Sequence, residues 1–194
     1  MIIEGLLTTT NEQGEPHVAP MGPVVAEDLS SWTLRPFVSS TTFRLLRANP
    51  HCVFHVVDDV VPVVESALGL ATSLLFAEQS WREAGEKGES RISIWTIPSA
   101  CHWYHLEVIG WDVSQERSQA TARVIEQRLL RPFWGWNRAK HAVLEATILA
   151  TRLHLVERKT IEEDLARMQS AVTKTAGARE LLAWEMLCDF FATH

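Results

Sequence analysis

Apolar and polar positions along the first third of the chain switch period several times. IIEGLLTTT (residues 2–10) and HVAPMGPVVA (17–26) have strand composition, and NEQGEP between them is a Gly-containing turn, so a β-hairpin is predicted at the start. SWTLRPFV (31–38) predicts a third strand. Thr41 to Ala48 predicts a short helix that Asn49 and Pro50 stop. HCVFHVVDD (51–59) reads as a β-branched, largely buried strand. The apolar run that follows predicts a helix from Val61 to Arg82, closed by a polar linker, AGEKGES (84–90).

Strand composition resumes in RISIWTIP (91–98) and HWYHLEVIGWDVS (102–114). Residues 117–131 are ambiguous. Their Ala, Glu, Gln and Arg suit a helix, but a place between a strand and a Pro-Phe turn suits a barrel-closing strand, which is the reading adopted. RAKHAVLEATILATRLHL, TIEEDLARMQSAV and ARELLAWEMLCDFF are then three helices in succession. Strands followed by helices, with few long crossovers, define an α+β chain: a small, mostly antiparallel barrel over 1–134 and a helical subdomain over 135–194 packed on it.

Composition narrows the partners more than the fold. The chain has 194 residues, 46% hydrophobic and 22% charged, with a net charge of -6. That balance fits a folded chain and argues against nucleic acid or an anionic membrane, since no excess of Lys and Arg exists to neutralise phosphates. The apolar stretch from Val60 to Phe76 is shorter than the roughly 20 residues that span a bilayer, and it carries Pro62 and Glu65. The N-terminus has no basic region of the kind that opens a signal peptide. Cys52, Cys101 and Cys188 are odd in number and widely spaced, which fits a reducing cytoplasm.

Several clusters carry candidate chemistry. In LRPFVSSTTFRLL (34–46), Arg35 and Phe37 share a strand face, and Ser39, Ser40, Thr41 and Thr42 precede a helix. Hydroxyls, free N–H groups and a guanidinium at a helix N-terminus make a phosphate site, while an over-provided cap beside a surface arginine explains the same residues. APMGP (19–23) puts Pro20, Met21, Gly22 and Pro23 inside a strand, which marks either an edge bulge or a backbone approached by a flat ligand. His51, Cys52, His55, Asp58 and Asp59 do not make a metal site: His51 and His55 share a strand face but stand about 13 Å apart. His55 is either a core histidine or a neighbour of a cofactor. In WGWNRAK, with Asn137 as cap, Arg138, Lys140 and His141 fall in the first turn, where cations oppose the helix dipole. A nearby anion, or a pairing of His141 with Glu145, accounts for them. Lys174 in VTKTAG (172–177) adds a second cation. There is no G-x-G-x-x-G, Walker or G-x-S-x-G motif.

Taken together, EGLLTTTNEQGEPHVAPMGPVV, LRPFVSSTTFRLL, VFHVVDD, WGWNRAKHAVLEATILATRL and VTKTAG resemble the signature blocks of an uncharacterised family in the flavin-reductase-like FMN-binding split-barrel superfamily. The resemblance implies a homodimeric split barrel with FMN near the subunit interface. It implies that Arg35, Ser40, Thr41 and Thr42 hold the phosphate, with Phe37 in the same block, and that Met21 and the backbone of Pro20 and Gly22 face the isoalloxazine ring. His55, Asn137, Arg138 and Lys174 are the expected substrate contacts. The expected function is an FMN-dependent oxidoreductase acting on a small, anionic substrate. The alternative is a flavin-binding or sensory module without turnover, linked to tetrahydromethanopterin-type one-carbon metabolism.

Overall fold

The computed structural model describes residues 1–70, 73–85 and 88–194, with the backbone alone over 82–85 and 88–91. The chain divides into two compact units, one formed by Met1–Val57 and Leu75–Pro132, the other by Asp58–Leu74 and Phe133–His194.

The first unit is a curled antiparallel sheet. Its strands are β1 (Gly5–Thr10), β2 (Pro16–Met21), β3 (Val24–Val25), β4 (Trp32–Leu34), β5 (His51–Val56), β8 (His102–Asp112) and β9 (Gln119–Leu129), in the spatial order β2-β1-β5-β8-β9-β4-β3. β6 (Ala77–Gly85) and β7 (Gly88–Thr96) form a separate hairpin, and one helix, α1 (Thr41–Ala48), lies between β4 and β5 in the chain.

The hairpin β1–β2 explains how the sheet curls shut. Gly5 pairs with Met21, and Ile2 pairs with Val24 in the same register, so residues 2–10 run beside 16–24 along their length. On its other side β3 pairs with β4. The two ends of the sheet are thus halves of one strand, bent at Gly22-Pro23. Among the described strands, β2 has β1 as its only neighbour, and its outer edge is the split in the barrel. Pro16 and Pro20 fall at alternate positions of that edge strand, where a residue without an N–H costs no ladder bond.

Alternation sorts the side chains of the sheet. Cys52 and Phe54 of β5, and Tyr104, Leu106 and Val108 of β8, join Leu7, Trp32 and Leu34 in the barrel core. The Trp32 ring lies 5.3 Å from that of Phe54 and 4.9 Å from that of Tyr104. Fully burying such a side chain stabilises the fold by about 1.5–3 kcal/mol each. On the opposite face Val53 and Trp103 pack with Ile94 of β7, and the Thr8 hydroxyl donates to the Trp95 carbonyl at 2.5 Å.

The second unit is helical: α2 (Val61–Ala67), α3 (Arg138–Ala150), α4 (Arg158–Thr175) and α5 (Ala178–Thr193), with a 3-10 turn at Leu153–Leu155. α3 buries Ala139, Ala142, Val143, Ala146 and Ala150, small residues that let neighbouring helices approach closely. Val61 and Val64 of α2 share this core with Trp184, Leu187 and Phe191 of α5.

Two expectations change. The helix expected over Val61–Arg82 ends at Ala67 because Gly69 adopts φ 68°, and the Leu70 N–H bonds back to the Glu65 carbonyl at 2.9 Å, a glycine-terminated helix end. Residues 77–85 are strand instead. The expected linker 84–90 supplies the ends of β6 and β7, and its Glu86 and Lys87 lie outside the described residues. Residues 119–129 form a barrel strand, in keeping with their place between a strand and a Pro-Phe turn.

Candidate functional site

The first turn of α1 faces outward beside the split. Ser40 is its N-cap: its hydroxyl accepts from the Phe43 N–H at 3.1 Å and donates to the Phe37 carbonyl at 2.7 Å. The Ser40 carbonyl takes the Arg44 N–H, and the Ser40 N–H goes to the Phe37 carbonyl. Of the four N–H groups a helix start leaves open, those of Thr41 and Thr42 remain. Thr42 is buried and turned toward β2, with its hydroxyl 3.5 Å from His17 Nε2. Ser39 and Thr41 are exposed. One hydroxyl of the four is therefore spent on the cap, one ties the helix to the edge strand, and two face solvent.

A depression of about 310 Å³ lies between this helix and the start of β2, lined by Asn11, Glu12, Gln13, Pro16, His17, Thr41, Arg44 and Leu45. Burial, aided by the Arg44 guanidinium, holds the His17 imidazole below its ordinary pKa, so the ring facing this depression is neutral near pH 7. Arg44 pairs with Glu12 at 3.0 Å across the rim.

Arg35 follows β4. Its Nε is buried and has no hydrogen-bond partner among the described residues, which leaves a desolvated donor. Phe37 is exposed, with the Arg117 guanidinium 5.5 Å from its ring centroid. Pro20, Met21 and Gly22 form the corner where the long strand bends. The Met21 side chain points into the barrel core, so of this trio the backbone is what the open edge offers. At Gly22 a Cβ would stand 2.7 Å from the Glu4 carboxylate, so the glycine admits that side chain.

Other candidates have structural work. His55 is fully buried; its Nδ1 lies 3.3 Å from the Leu6 carbonyl and its Nε2 accepts from the Ile97 N–H at 3.0 Å. Both nitrogens are used, the proton belongs on Nδ1, and the residue is a core histidine, not a substrate contact. Asn137 caps α3, accepting from the Lys140 N–H and donating to the Thr175 carbonyl at 3.0 Å, so its amide is also committed. Arg138 and Lys174 are exposed. Lys140 donates to the Asp58 carbonyl and lies 3.8 Å from Glu180, while Arg179 holds Asp59 at 2.6 Å. No cluster of three or more His, Cys, Asp or Glu side chains suited to a metal occurs among the described residues. The sequence reading missed Arg44, Arg47 and His17. The two arginines stand four and seven residues after Ser40, a spacing that sets them on one helix face with it.

A curled antiparallel sheet left open at β2, with a helix start beside the opening, is a split barrel. The chain belongs to the family described as protein of unknown function (DUF447): residues 3–131 match its N-terminal domain, and residues 137–189 match its second model. Among solved structures it is similar to an FMN-bound protein of this family from Methanosarcina mazei, at 22% identity, 97% coverage of this chain, 94% of that chain and a TM-score of 0.78. It is also similar to the flavin reductase HpaC complexed with NADP+, at 11% identity, 69% and 81% coverage and a TM-score of 0.51. These likenesses concern the fold. No curated protein matches the chain in sequence. No helix among the described residues is long and apolar enough to cross a membrane.

Proposed function

We propose that the chain binds FMN at the split of its barrel, as a homodimer, and uses it as an oxidoreductase acting on a small anionic substrate. The observation that carries this reading is the helix start beside the open edge of β2, where the Thr41 and Thr42 N–H groups have no partner within the helix. Two further features fit the same cofactor. The buried Arg35 Nε is a donor whose desolvation, at about 1–3 kcal/mol, an anion would offset. The family relative from Methanosarcina mazei is FMN-bound.

In this reading the Thr41 and Thr42 N–H groups, the exposed Thr41 hydroxyl and Arg35 hold the phosphate, and the backbone at Pro20–Gly22 meets the ring. Bound FMN would supply hydride acceptance at its N5. The protein would orient the ring and exclude water. Dimerisation draws support from the unpaired edge of β2 and from exposed apolar side chains on the barrel unit, among them Phe37, Ile109 and Val113. Analytical ultracentrifugation should give a dimer; a concentration-independent monomer contradicts that part.

The direct test is a fluorescence-quenching titration of purified protein with FMN and with riboflavin. FMN should bind at least about tenfold more tightly, the scale of one charge-assisted hydrogen bond. Equal affinities would remove the phosphate role of residues 35–42. Anaerobic mixing of the loaded protein with NADH or NADPH then separates a reductase, whose flavin bleaches, from a flavin-binding module without turnover.

A further inference from the structure

A second groove lies against the outer flank of α1. It has a volume of about 490 Å³ and is lined by Val38, Ser39, Ser40, Thr41, Phe43, Arg44 and Arg47. Ser40, Phe43, Arg44 and Arg47 recur at helical spacing along that flank, while Thr42, Leu45 and Leu46 turn into the protein. Two arginines and no carboxylate line the groove, in a chain whose net charge is -6. Glu12, the partner of Arg44, belongs to the other depression, between α1 and β2.

Phe43 is the aromatic residue of the groove, and Trp111 lies behind it and Arg47. The Arg47 guanidinium carbon lies 5.5 Å from the centroid of the Trp111 ring, and the Phe43 ring meets that indole edge-on at 5.1 Å. Arg47 lies over a ring face and has no acidic partner among the described residues, so its N–H fork can meet an anion. Paired guanidinium groups match phosphate oxygens geometrically, and aromatic and guanidinium planes stack on nucleobases.

We propose that this groove binds a nucleotide, with phosphate between Arg44 and Arg47 and the base against Phe43. Its use as the seat of a nucleotide electron donor rests on the flavin reading above; the binding itself does not. The two depressions lie on either side of the first turn of α1 and share Thr41 and Arg44, so a flavin in one and a donor in the other would be neighbours. The same phosphate-and-ring chemistry could come from the flavin itself, and the test separates the two.

The probe is adenosine 2′,5′-bisphosphate, which carries phosphates and a base but no redox group, titrated calorimetrically into flavin-free and FMN-loaded protein. It should bind both forms, and Arg47→Ala should weaken it about tenfold or more while FMN affinity stays within about twofold. Arg47→Lys should restore part of the loss, since the charge returns without the fork. The proposal is overturned if the probe fails to bind wild-type protein, if Arg47→Ala leaves its affinity unchanged, or if FMN and the probe displace each other one for one, which would make the groove the flavin's own phosphate seat. Arg47-dependent probe binding in a protein that takes up no FMN sustains the groove and removes the flavin reading.

Discussion

A Cβ placed on Gly5 would stand 2.3 Å from the His55 carbonyl oxygen. The two backbones, on neighbouring strands β1 and β5, approach more closely than any side chain permits, and the Phe54 ring closes the same space at 2.6 Å. Both obstacles are rigid, one main chain and the other a fully buried ring. Gly5→Ala should therefore force the strands apart and cost about 1–3 kcal/mol, the usual scale of overpacking. A urea unfolding midpoint equal to wild type would show that the strands yield at no cost.

Acid should weaken the barrel through two buried histidines. Burial holds His55 down at about 3, and burial, then the neighbouring His51, holds His105 at about 4. In the unfolded chain both titrate near 6.5. Below that pH the unfolded state binds more protons, so stability is complete above about 6.5 and falls as pH drops toward 4 for His105 and 3 for His55. Each ring contributes a slope of up to about 1.4 kcal/mol per pH unit. Denaturant midpoints at pH 7 and pH 5 should differ accordingly, and His105→Gln should flatten the dependence. A profile already flat in wild type from 7 to 5 would show that these rings are not held neutral.

Much of the barrel was legible because alternation survives wherever one sheet face is buried. The bounds of α1 followed from the hydroxyls before it and from Asn49-Pro50, whereas 119–129 was open between helix and strand by composition, and only its place between a strand and a Pro-Phe turn favoured the strand that forms. The stretch after Val61 misled because an apolar run looks alike on a buried helix and on a strand approach; the informative residue was Gly69, whose left-handed conformation ends α2. At the site, local chemistry was readable and tertiary assignment was not. Ser40 was visible as a cap, but nothing in the sequence says that Thr42 turns toward His17, or that Met21 points into the core. His55 needed the fold, since its two partners, Leu6 and Ile97, are supplied by distant segments.

The cations at the start of α3 divide into one that is structural and one that is exposed. Lys140 reaches the Asp58 carbonyl and the largely buried Glu180, so Lys140→Met should remove one hydrogen bond and one of the cations beside that carboxylate, which keeps the Gly177 N–H and the nearby Arg179, and cost about 1–2 kcal/mol. Arg138 is exposed, and Arg138→Ala should change stability by less than about 0.5 kcal/mol. Thermal unfolding of the two variants side by side checks both. Equal losses would mean that Arg138 carries an interaction of the same weight as that of Lys140.

The hydroxyl cluster at 39–42 can be divided in the same way. Ser40 uses its hydroxyl twice within the protein, accepting from Phe43 and donating to Phe37, so Ser40→Ala should cost about 1 kcal/mol of stability. Thr41 is exposed, and among the described residues neither its hydroxyl nor its N–H has a hydrogen-bond partner. Thr41→Val should therefore leave the unfolding midpoint within about 0.5 kcal/mol of wild type yet weaken FMN by about 0.5–1.5 kcal/mol, the net worth of one hydrogen bond. Denaturation and FMN titration of both variants give the two axes. Thr41→Val binding FMN normally, with Ser40→Ala losing it without loss of stability, would exchange the roles given to the two residues. Both variants binding FMN as wild type does, at reduced stability, would make the cluster a cap alone and move the phosphate elsewhere on the barrel.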